Sequence, residues 1–222
     1  LGDVEGAFQR SLDRLGLDYI DLYLIHWPVS WLLSETHGKI WKRFLNQEGF
    51  IPIGVSNFEI RHLEELRRVS GIVPAVNQIE CHPLCYPKEL IEYCQANDIQ
   101  VQAYAPLARG AYLDNDVLCV LGTKYAHTPA QIGLRWAVQK GISVIPKSVH
   151  PERIASNARI FDFTIDQEDM DLSGYSESEL PQFIYSRRSE RYCFLDLLFS
   201  QQKPAGSERR RISRFYICLI FF

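Results

Sequence analysis

The 222-residue sequence predicts an α/β fold in which helices cover a parallel sheet. Short apolar runs alternate with amphipathic stretches from about residue 4 to residue 160. The runs are predominantly apolar and do not alternate strictly, which is typical of strands that are buried on both faces of a parallel sheet. No GxGxxG motif follows any of them, which disfavours an open dinucleotide-binding sheet. Periodicity alone does not separate an open sheet from a closed barrel.

Five apolar runs are predicted as strands, at residues 22–26, 53–57, 75–79, 101–104 and 142–146. Each has the length and the β-branched or aromatic content of a buried strand. Polar residues stand at or just after the ends of these runs, namely His26, Ser56, Asn57, Gln78, Tyr104 and Lys147. Because ligands bind at the carboxyl ends of parallel strands, we expect a ligand site there.

The intervening stretches are predicted as helices at residues 4–15, 59–69, 87–96 and 128–140. The first carries apolar side chains on one face at helical spacing. Asn57 is predicted to cap the second helix. Pro87 and Pro129 stand in first turns, where proline is tolerated, and Gly141 is predicted to end the last helix.

Composition favours a protein that acts on small molecules. The hydrophobic share of 46% and the charged share of 23% are ordinary for one globular domain. A net charge of −3 and a pI of about 6.1 indicate neither nucleic acid nor an anionic membrane as partner. No apolar run reaches the ~20 residues of a membrane span, and the first residues do not resemble a signal peptide. We expect a cytoplasmic monomer.

Six cysteines are scattered along the chain without a CxxC pair, at positions 81, 85, 94, 119, 193 and 218. Cys81, His82 and Cys85 could be read as three ligands of a metal. A zinc site needs a fourth ligand and normally a second close pair. We therefore predict free thiols in a reducing compartment and no metal.

Residues 176–222 depart from the strand–helix rhythm. A basic cluster at 206–211 near an apolar end could form a membrane-surface anchor. We favour instead a divergent, poorly ordered tail that follows a domain of residues 1–175. Residues 215–222 combine high β-propensity with no charged side chain, which makes them an aggregation hazard. The spacing and charge of the tail do not predict strands of the sheet.

Four blocks of sequence together resemble the aldo-keto reductase family. They are LGLDYIDLYLIHWP at 15–28, IGVSNF at 53–58, VNQIECHP at 76–83, and VIPKS at 144–148 followed by Arg153. Each block is moderately specific, and all four in this order are very specific. The resemblance covers roughly residues 1–175. It implies a (β/α)8 TIM barrel of the aldo-keto reductase type, here incomplete, with about five of its eight strands.

The resemblance also implies NADPH as cofactor and a small-molecule aldehyde or ketone as substrate. His26 matches the histidine that orients the substrate carbonyl. Ser56, Asn57 and Gln78 match residues that bind the nicotinamide carboxamide, which suits side chains able to donate and accept. Tyr104 matches the aromatic residue that stacks on the nicotinamide ring.

The rest of the cofactor is matched by two further groups. Leu107 and Arg109 resemble positions in the loop across the pyrophosphate. The 2′-phosphate group is matched by Lys147, Ser148 and Arg153, two cations and a hydroxyl around a dianion. Asn157 matches an adenine contact, while Ser156 stands where the family usually has glutamate.

The family's catalytic aspartate, tyrosine and lysine have no counterpart, because the match begins at the helix before the fourth strand. Tyr23 cannot replace the tyrosine, since an odd offset from His26 points it to the other face of the strand. Loss of a positioned general acid costs ~10²–10⁴ in rate. We therefore expect an N-terminally truncated and impaired reductase. The alternatives are a non-catalytic NADPH-binding or regulatory protein and a non-functional truncated product.

Overall fold

In the computed structural model, residues 4–28, 53–171 and 217–220 are described. Their strands form one parallel sheet in the order β5-β4-β3-β2-β1-β6. The strands are β1 (Leu22–Ile25), β2 (Ile53–Ser56), β3 (Val76–Glu80), β4 (Gln100–Tyr104), β5 (Ser143–Val144) and β6 (Ile217–Ile220). The first five run across the sheet in chain order, which confirms the predicted parallel α/β arrangement.

Six α-helices lie within the described residues. They are α1 (Val4–Leu15), α2 (Ile60–Ser70), α3 (Lys88–Ala96), α4 (Asp116–Tyr125), α5 (Pro129–Gln139) and α6 (Pro151–Ala158). A short 3₁₀ turn, Ala108–Gly110, follows β4. The sequence predicted α1, α2, α3 and α5 within a residue or two, but not α4 or α6. None of these helices combines the length and the apolarity needed to cross a bilayer.

The sixth strand comes from the tail. Ile217–Ile220 pairs in parallel with β1, from Leu22 opposite Ile217 to Ile25 opposite Ile220. It occupies the side of β1 that β2 does not use. Sequence spacing did not indicate this strand, although the β-propensity of residues 215–222 is high. The chain divides into two compact units, Leu1–Tyr175 with Phe215–Phe222 and Ser176–Arg214. The second unit lies outside the described residues, so a poorly ordered tail there stays a prediction.

The core lies where the helices cover the sheet. Phe8 of α1 meets the ring of Tyr23 edge-on, with 5.1 Å between centroids. Tyr23 is thereby directed toward α1, as its odd offset from His26 predicts. Gly54 lets β1 and β2 pack closely, because a Cβ at that position would lie 2.1 Å from Leu24 Cδ2.

Two helix starts test the capping predictions. Thr128 caps α5, and its hydroxyl accepts a hydrogen bond from the backbone nitrogen of Gln131 at 3.3 Å. The prediction that Asn57 caps α2 was wrong. Glu59 is the N-cap, and its backbone nitrogen donates to His62 Nδ1 at 3.1 Å. Asn57 adopts a left-handed backbone conformation with φ of 61° and serves another purpose.

Candidate active site

The polar residues at the strand ends meet in one hydrogen-bonded group, which we call the strand-end cluster: His26, Ser56, Asn57, Gln78 and Tyr104. Asn57 Nδ2 donates to the backbone oxygen of His26 at 3.0 Å and to Ser56 Oγ at 3.1 Å. Asn57 Oδ1 accepts from the Tyr104 hydroxyl at 3.0 Å. Ser56 Oγ donates to the backbone oxygen of Gln78 at 2.9 Å. The cluster therefore joins the carboxyl ends of β1, β2, β3 and β4.

Asn57 owes its central position to its backbone. Its φ of 61° lies in the left-handed region, which asparagine tolerates better than most residues with a side chain. Its backbone nitrogen donates to the backbone oxygen of Gln78 at 2.9 Å, which continues the contact between β2 and β3. The left-handed turn directs the amide toward the strand ends rather than toward the start of α2.

Gln102 belongs to the same end of the sheet, and the sequence prediction missed it. Gln78 Nε2 donates to Gln102 Oε1 at 2.6 Å, and the two residues stand opposite each other in β3 and β4. Gln78 is 5% exposed, so this bond lies largely away from water. The available signal was alternation, since Gln102 shares a face of β4 with Tyr104, two residues on.

His26 follows β1 directly and is half-buried. This burial lowers the pKa of its imidazole, so the ring is neutral at neutral pH. A neutral imidazole has one N–H that donates and one nitrogen that accepts. The ring lies edge-on to Trp27, with 5.8 Å between centroids, and Trp27 is 42% exposed.

The loop after β4 holds Ala108 and Arg109 in a strained backbone, directly after Leu107. Ala108 and Arg109 have φ of 47° and 55°, values that side chains with a Cβ seldom adopt. The Tyr112 hydroxyl donates to the backbone oxygen of Pro106 at 2.7 Å and fixes the start of the loop. Leu107 packs against the core, while the Arg109 side chain is exposed.

The predicted phosphate-binding residues lie after β5 and on α6. Lys147 and Arg153 are exposed, and neither pairs with a carboxylate among the described residues. Ser148 Oγ accepts from the backbone nitrogen of His150 at 3.1 Å, and Asn157 is half-buried near the end of α6. Within the described ranges, no hydrogen bond joins this group to the strand-end cluster.

The cysteine-rich stretch after β3 does not assemble a metal centre in the part of the chain that is described. Cys81 is fully buried, and burial raises the pKa of its thiol to about 12. No group of three or more potential metal ligands occurs among the residues described.

Comparison with known proteins decides the family. The sequence model of the family described as "Aldo/keto reductase family" matches residues 2–173, more than three quarters of the chain. The protein belongs to the aldo-keto reductase family. This confirms the resemblance carried by the four sequence blocks.

Related aldo-keto reductases include enzymes named for dicarbonyl substrates. The chain is 49% identical over 166 residues to the "Glyoxal reductase" of Bacillus subtilis, covering 74% of this chain and 59% of that protein. It is 43% identical to the "Methylglyoxal reductase DkgA" of Salmonella typhimurium, covering 74% of this chain and 61% of that protein. The chain therefore spans about three fifths of the length of these curated relatives.

Solved aldo-keto reductase structures confirm the fold class. MGS-M4, from a Medee basin deep-sea metagenome library, superposes with a TM-score of 0.73 at 39% identity, over 79% of this chain and 67% of that one. The aldo-keto reductase AKR2E5, solved in complex with NADPH, gives a TM-score of 0.71 at 34% identity, over 83% and 63%. The strands β1–β5 with their helices thus form part of an aldo-keto reductase (β/α)8 barrel.

Proposed function

We propose that the protein is an NADPH-dependent oxidoreductase that reduces aldehydes or ketones to alcohols, with the strand-end cluster at the reacting end of its site. The observation that carries this proposal is the set of hydrogen bonds by which Asn57 joins His26, Ser56 and Tyr104. The names of the relatives, glyoxal reductase and methylglyoxal reductase, favour small aldehydes as substrates.

The chemistry of the cluster fits the nicotinamide end of NADPH. A carboxamide both donates and accepts, and the amides of Asn57 and Gln78 with the hydroxyl of Ser56 can do the same. Ser56 and Gln78 are 1% and 5% exposed, and hydrogen bonds are stronger where water is scarce. The half-buried ring of Tyr104 offers an aromatic face.

We assign the remaining parts of NADPH to the residues after β5 and on α6 and to the loop after β4. Lys147, Ser148 and Arg153 would bind the 2′-phosphate, since the two cations have no carboxylate partner among the described residues. Asn157 would contact the adenine. Leu107 and Arg109 would lie along the pyrophosphate, where an exposed guanidinium suits an anion.

Three side chains around the strand-end cluster have defined tasks: His26, Asn57 and Trp27. NADPH, when bound, supplies the hydride. His26, held neutral by its burial, donates a hydrogen bond to the substrate carbonyl and orients it. Asn57 holds the Tyr104 hydroxyl and so fixes the ring of Tyr104. Trp27, exposed beside His26, forms part of the substrate-facing surface.

We also propose that turnover by this chain is impaired, because the tyrosines on β1 and on and after β4 are each committed to another contact. Tyr23 packs against Phe8. The hydroxyls of Tyr104 and Tyr112 are hydrogen-bonded within the protein. A positioned general acid is worth ~10²–10⁴ in rate. The same observation favours a second candidate function, a non-catalytic NADPH-binding or regulatory protein.

We assign this function to a monomer in the cytoplasm. The described cysteines Cys81, Cys85, Cys94 and Cys119 are free thiols, which suits a reducing compartment.

The test is a titration of the 222-residue chain with NADPH and with NADH, followed by tryptophan fluorescence. We expect saturable quenching that is tighter for NADPH, and a large loss of affinity in Asn57→Ala. Tyr19→Phe, at an exposed tyrosine, is the matched control and keeps the parent affinity. Consumption of NADPH with methylglyoxal then separates the two candidates: turnover supports the reductase, and binding without turnover supports the regulatory protein. A folded chain that binds neither nucleotide refutes both.

A further inference from the structure

The helix α6 is held in an unusual way. None of its residues is buried, and the side chain of Ile154 is 54% exposed. An isolated helix of eight residues is not stable in water. Apolar packing of its own side chains therefore does not fix the orientation of α6, although α6 carries Arg153 and Asn157.

Gln131 of α5 supplies the missing attachment. Its side-chain Nε2 donates to the backbone oxygens of Ser156 at 3.1 Å and Arg159 at 2.8 Å, at the end of α6. Its Oε1 accepts from the backbone nitrogen of Thr128 at 2.9 Å and from the Thr128 hydroxyl at 3.0 Å. Both N–H groups and both lone pairs of the amide are thus used. One side chain, 6% exposed, joins the start of α5 to the end of α6.

Two further polar side chains, four and eight residues farther along α5, bind the segment that follows α6. Arg135 donates from Nη1 to the backbone oxygen of Ile160 and from Nη2 to Thr164 Oγ1, both at 3.1 Å. Gln139 donates to the backbone oxygen of Ile165 at 2.9 Å and accepts from its backbone nitrogen at 2.7 Å. Residues four apart lie on one face of a helix. We call this face, Gln131, Arg135 and Gln139, the α5 polar row.

We propose that Gln131 is a positioning residue for NADPH, which fixes α6 and thereby holds the Arg153 guanidinium in place for the 2′-phosphate. This inference rests on the proposed function. Gln131 gives a second donor to the backbone oxygen of Ser156, which also accepts from the backbone nitrogen of Arg159 at 3.0 Å, and it donates to the backbone oxygen of Arg159 just after the helix. Its side-chain amide is buried and fully engaged by Thr128, Ser156 and Arg159, so its effect on the cofactor passes through the orientation of α6.

The substitution Gln131→Glu separates the two tasks of the amide. Glutamate at this third position of α5 still accepts from Thr128, and a negative charge is favourable at a helix N-terminus. It cannot donate to Ser156 or Arg159 while ionised. It also places negative charge beside the carbonyl end of α6, where the helix dipole disfavours it. The cap of α5 is kept and the attachment of α6 is lost.

The experiment measures dissociation constants of NADPH and NADH for the full chain and its Gln131→Glu variant. We expect the NADPH dissociation constant to rise about tenfold, the size expected when one buried amide loses two hydrogen bonds, and the NADH constant to rise less. The loss should shrink when Arg153→Ala is already present, because the two residues act on the same contact. Gln95→Glu is the matched control. It makes the same change of charge and removes a bond from Gln95 Nε2 to the backbone oxygen of Lys140, away from α6.

Equal losses for NADPH and NADH, or effects of Gln131→Glu and Arg153→Ala that simply add, would overturn this inference. If Gln131→Glu does not fold, Arg135→Lys is the second variant. It keeps the charge but removes the paired hydrogen bonds to Ile160 and Thr164, and the affinity for NADPH should again fall more than the affinity for NADH. A parent chain that binds no NADPH overturns the proposed function and this inference with it. A parent chain that binds NADPH, with Gln131→Glu unchanged, overturns this inference alone.

Discussion

The hydroxyl of Tyr104 lies 3.0 Å from Asn57 Oδ1 and donates a hydrogen bond to it. Tyr104 ends β4, and Asn57 follows β2, so the bond spans the strand between them. It fixes the rotation of the aromatic ring from its polar end. It also occupies the hydroxyl hydrogen, which is why Tyr104 is assigned a binding task rather than proton donation.

Replacing Tyr104 by phenylalanine tests this bond. The variant keeps the ring but leaves Asn57 Oδ1 without its donor. We expect a loss of about 1 kcal/mol in the free energy of unfolding, measured by urea denaturation, and a several-fold weaker NADPH affinity, measured by fluorescence. Tyr19→Phe, at a tyrosine that is 66% exposed, should change neither quantity. If Tyr104→Phe matched the parent chain in both measurements, the bond would have no role.

The contact between Gly54 and Leu24 predicts strong overpacking. Gly54→Ala introduces a Cβ 2.1 Å from Leu24 Cδ2 and 3.2 Å from the backbone oxygen of Val76. We expect destabilisation of about 1–3 kcal/mol in urea denaturation. Because the closest clash is with a side chain, Leu24→Ala in the same chain should relieve part of it. The double variant should therefore be more stable than the sum of the single effects, and strict additivity would argue against the contact.

The lowered pKa of His26 predicts a pH dependence of stability. Burial lowers this pKa in the folded chain, whereas the unfolded chain keeps the ordinary value of about 6.5. Between the folded pKa and about 6.5, the unfolded chain binds a proton that the folded chain does not. The free energy of unfolding should therefore be highest above about pH 6.5 and decrease as the pH falls through that window.

His62 contributes in the same direction, since burial and then Arg61 lower its pKa. The measurement is urea denaturation at a series of pH values for the parent chain, His26→Gln and His62→Gln. Each variant should lose part of the slope. An NMR titration of His26 with a midpoint at or above the ordinary value would contradict the assignment.

The pairing of β6 with β1 predicts a role for the last residues of this chain. Removing residues 215–222 would leave β1 without its partner on that side, and an exposed strand edge promotes association. We expect more light scattering on heating and a lower thermal midpoint. The matched control is Cys218→Ser, which keeps the backbone pairing and should behave as the parent chain. A shortened chain that stayed monomeric and equally stable would show that the pairing adds nothing.

The sequence predicted the helices and strands that are marked by residues close together in the chain, such as apolar spacing or a helix cap. Apolar spacing located α1, and Thr128 with Pro129 located the start of α5. Asn57 was misassigned as a helix cap because its left-handed backbone turns the amide toward His26 and Tyr104, which local sequence does not reveal. The helix α6 was missed because it is only eight residues long and carries a single large apolar side chain, Ile154, which is too little for a periodic signal. Strand β5 is shorter than predicted, and Pro146 near its end has no N–H to extend the ladder.

The site was predictable only where the family blocks reach it. The block IGVSNF indicated Ser56 and Asn57, but the bond from Asn57 to Tyr104 joins residues 47 apart and required the structure. Gln131 was not identified from the sequence, where its only local signal is the capping-box spacing from Thr128. Its bonds to Ser156 and Arg159, which are 25 and 28 residues away, cannot be predicted from the sequence around Gln131.

Because α6 contributes no side chain to the core, substitutions in it should have little effect on the stability of the fold. Substitutions at exposed positions usually alter stability by no more than about 0.5 kcal/mol. The exposed positions of α6 can therefore accumulate or exchange charges while the barrel beneath stays intact, provided that Gln131 still holds the helix end. Under the proposed function, the preference between phosphorylated and unphosphorylated dinucleotides becomes a trait that evolution or engineering can retune in part at α6.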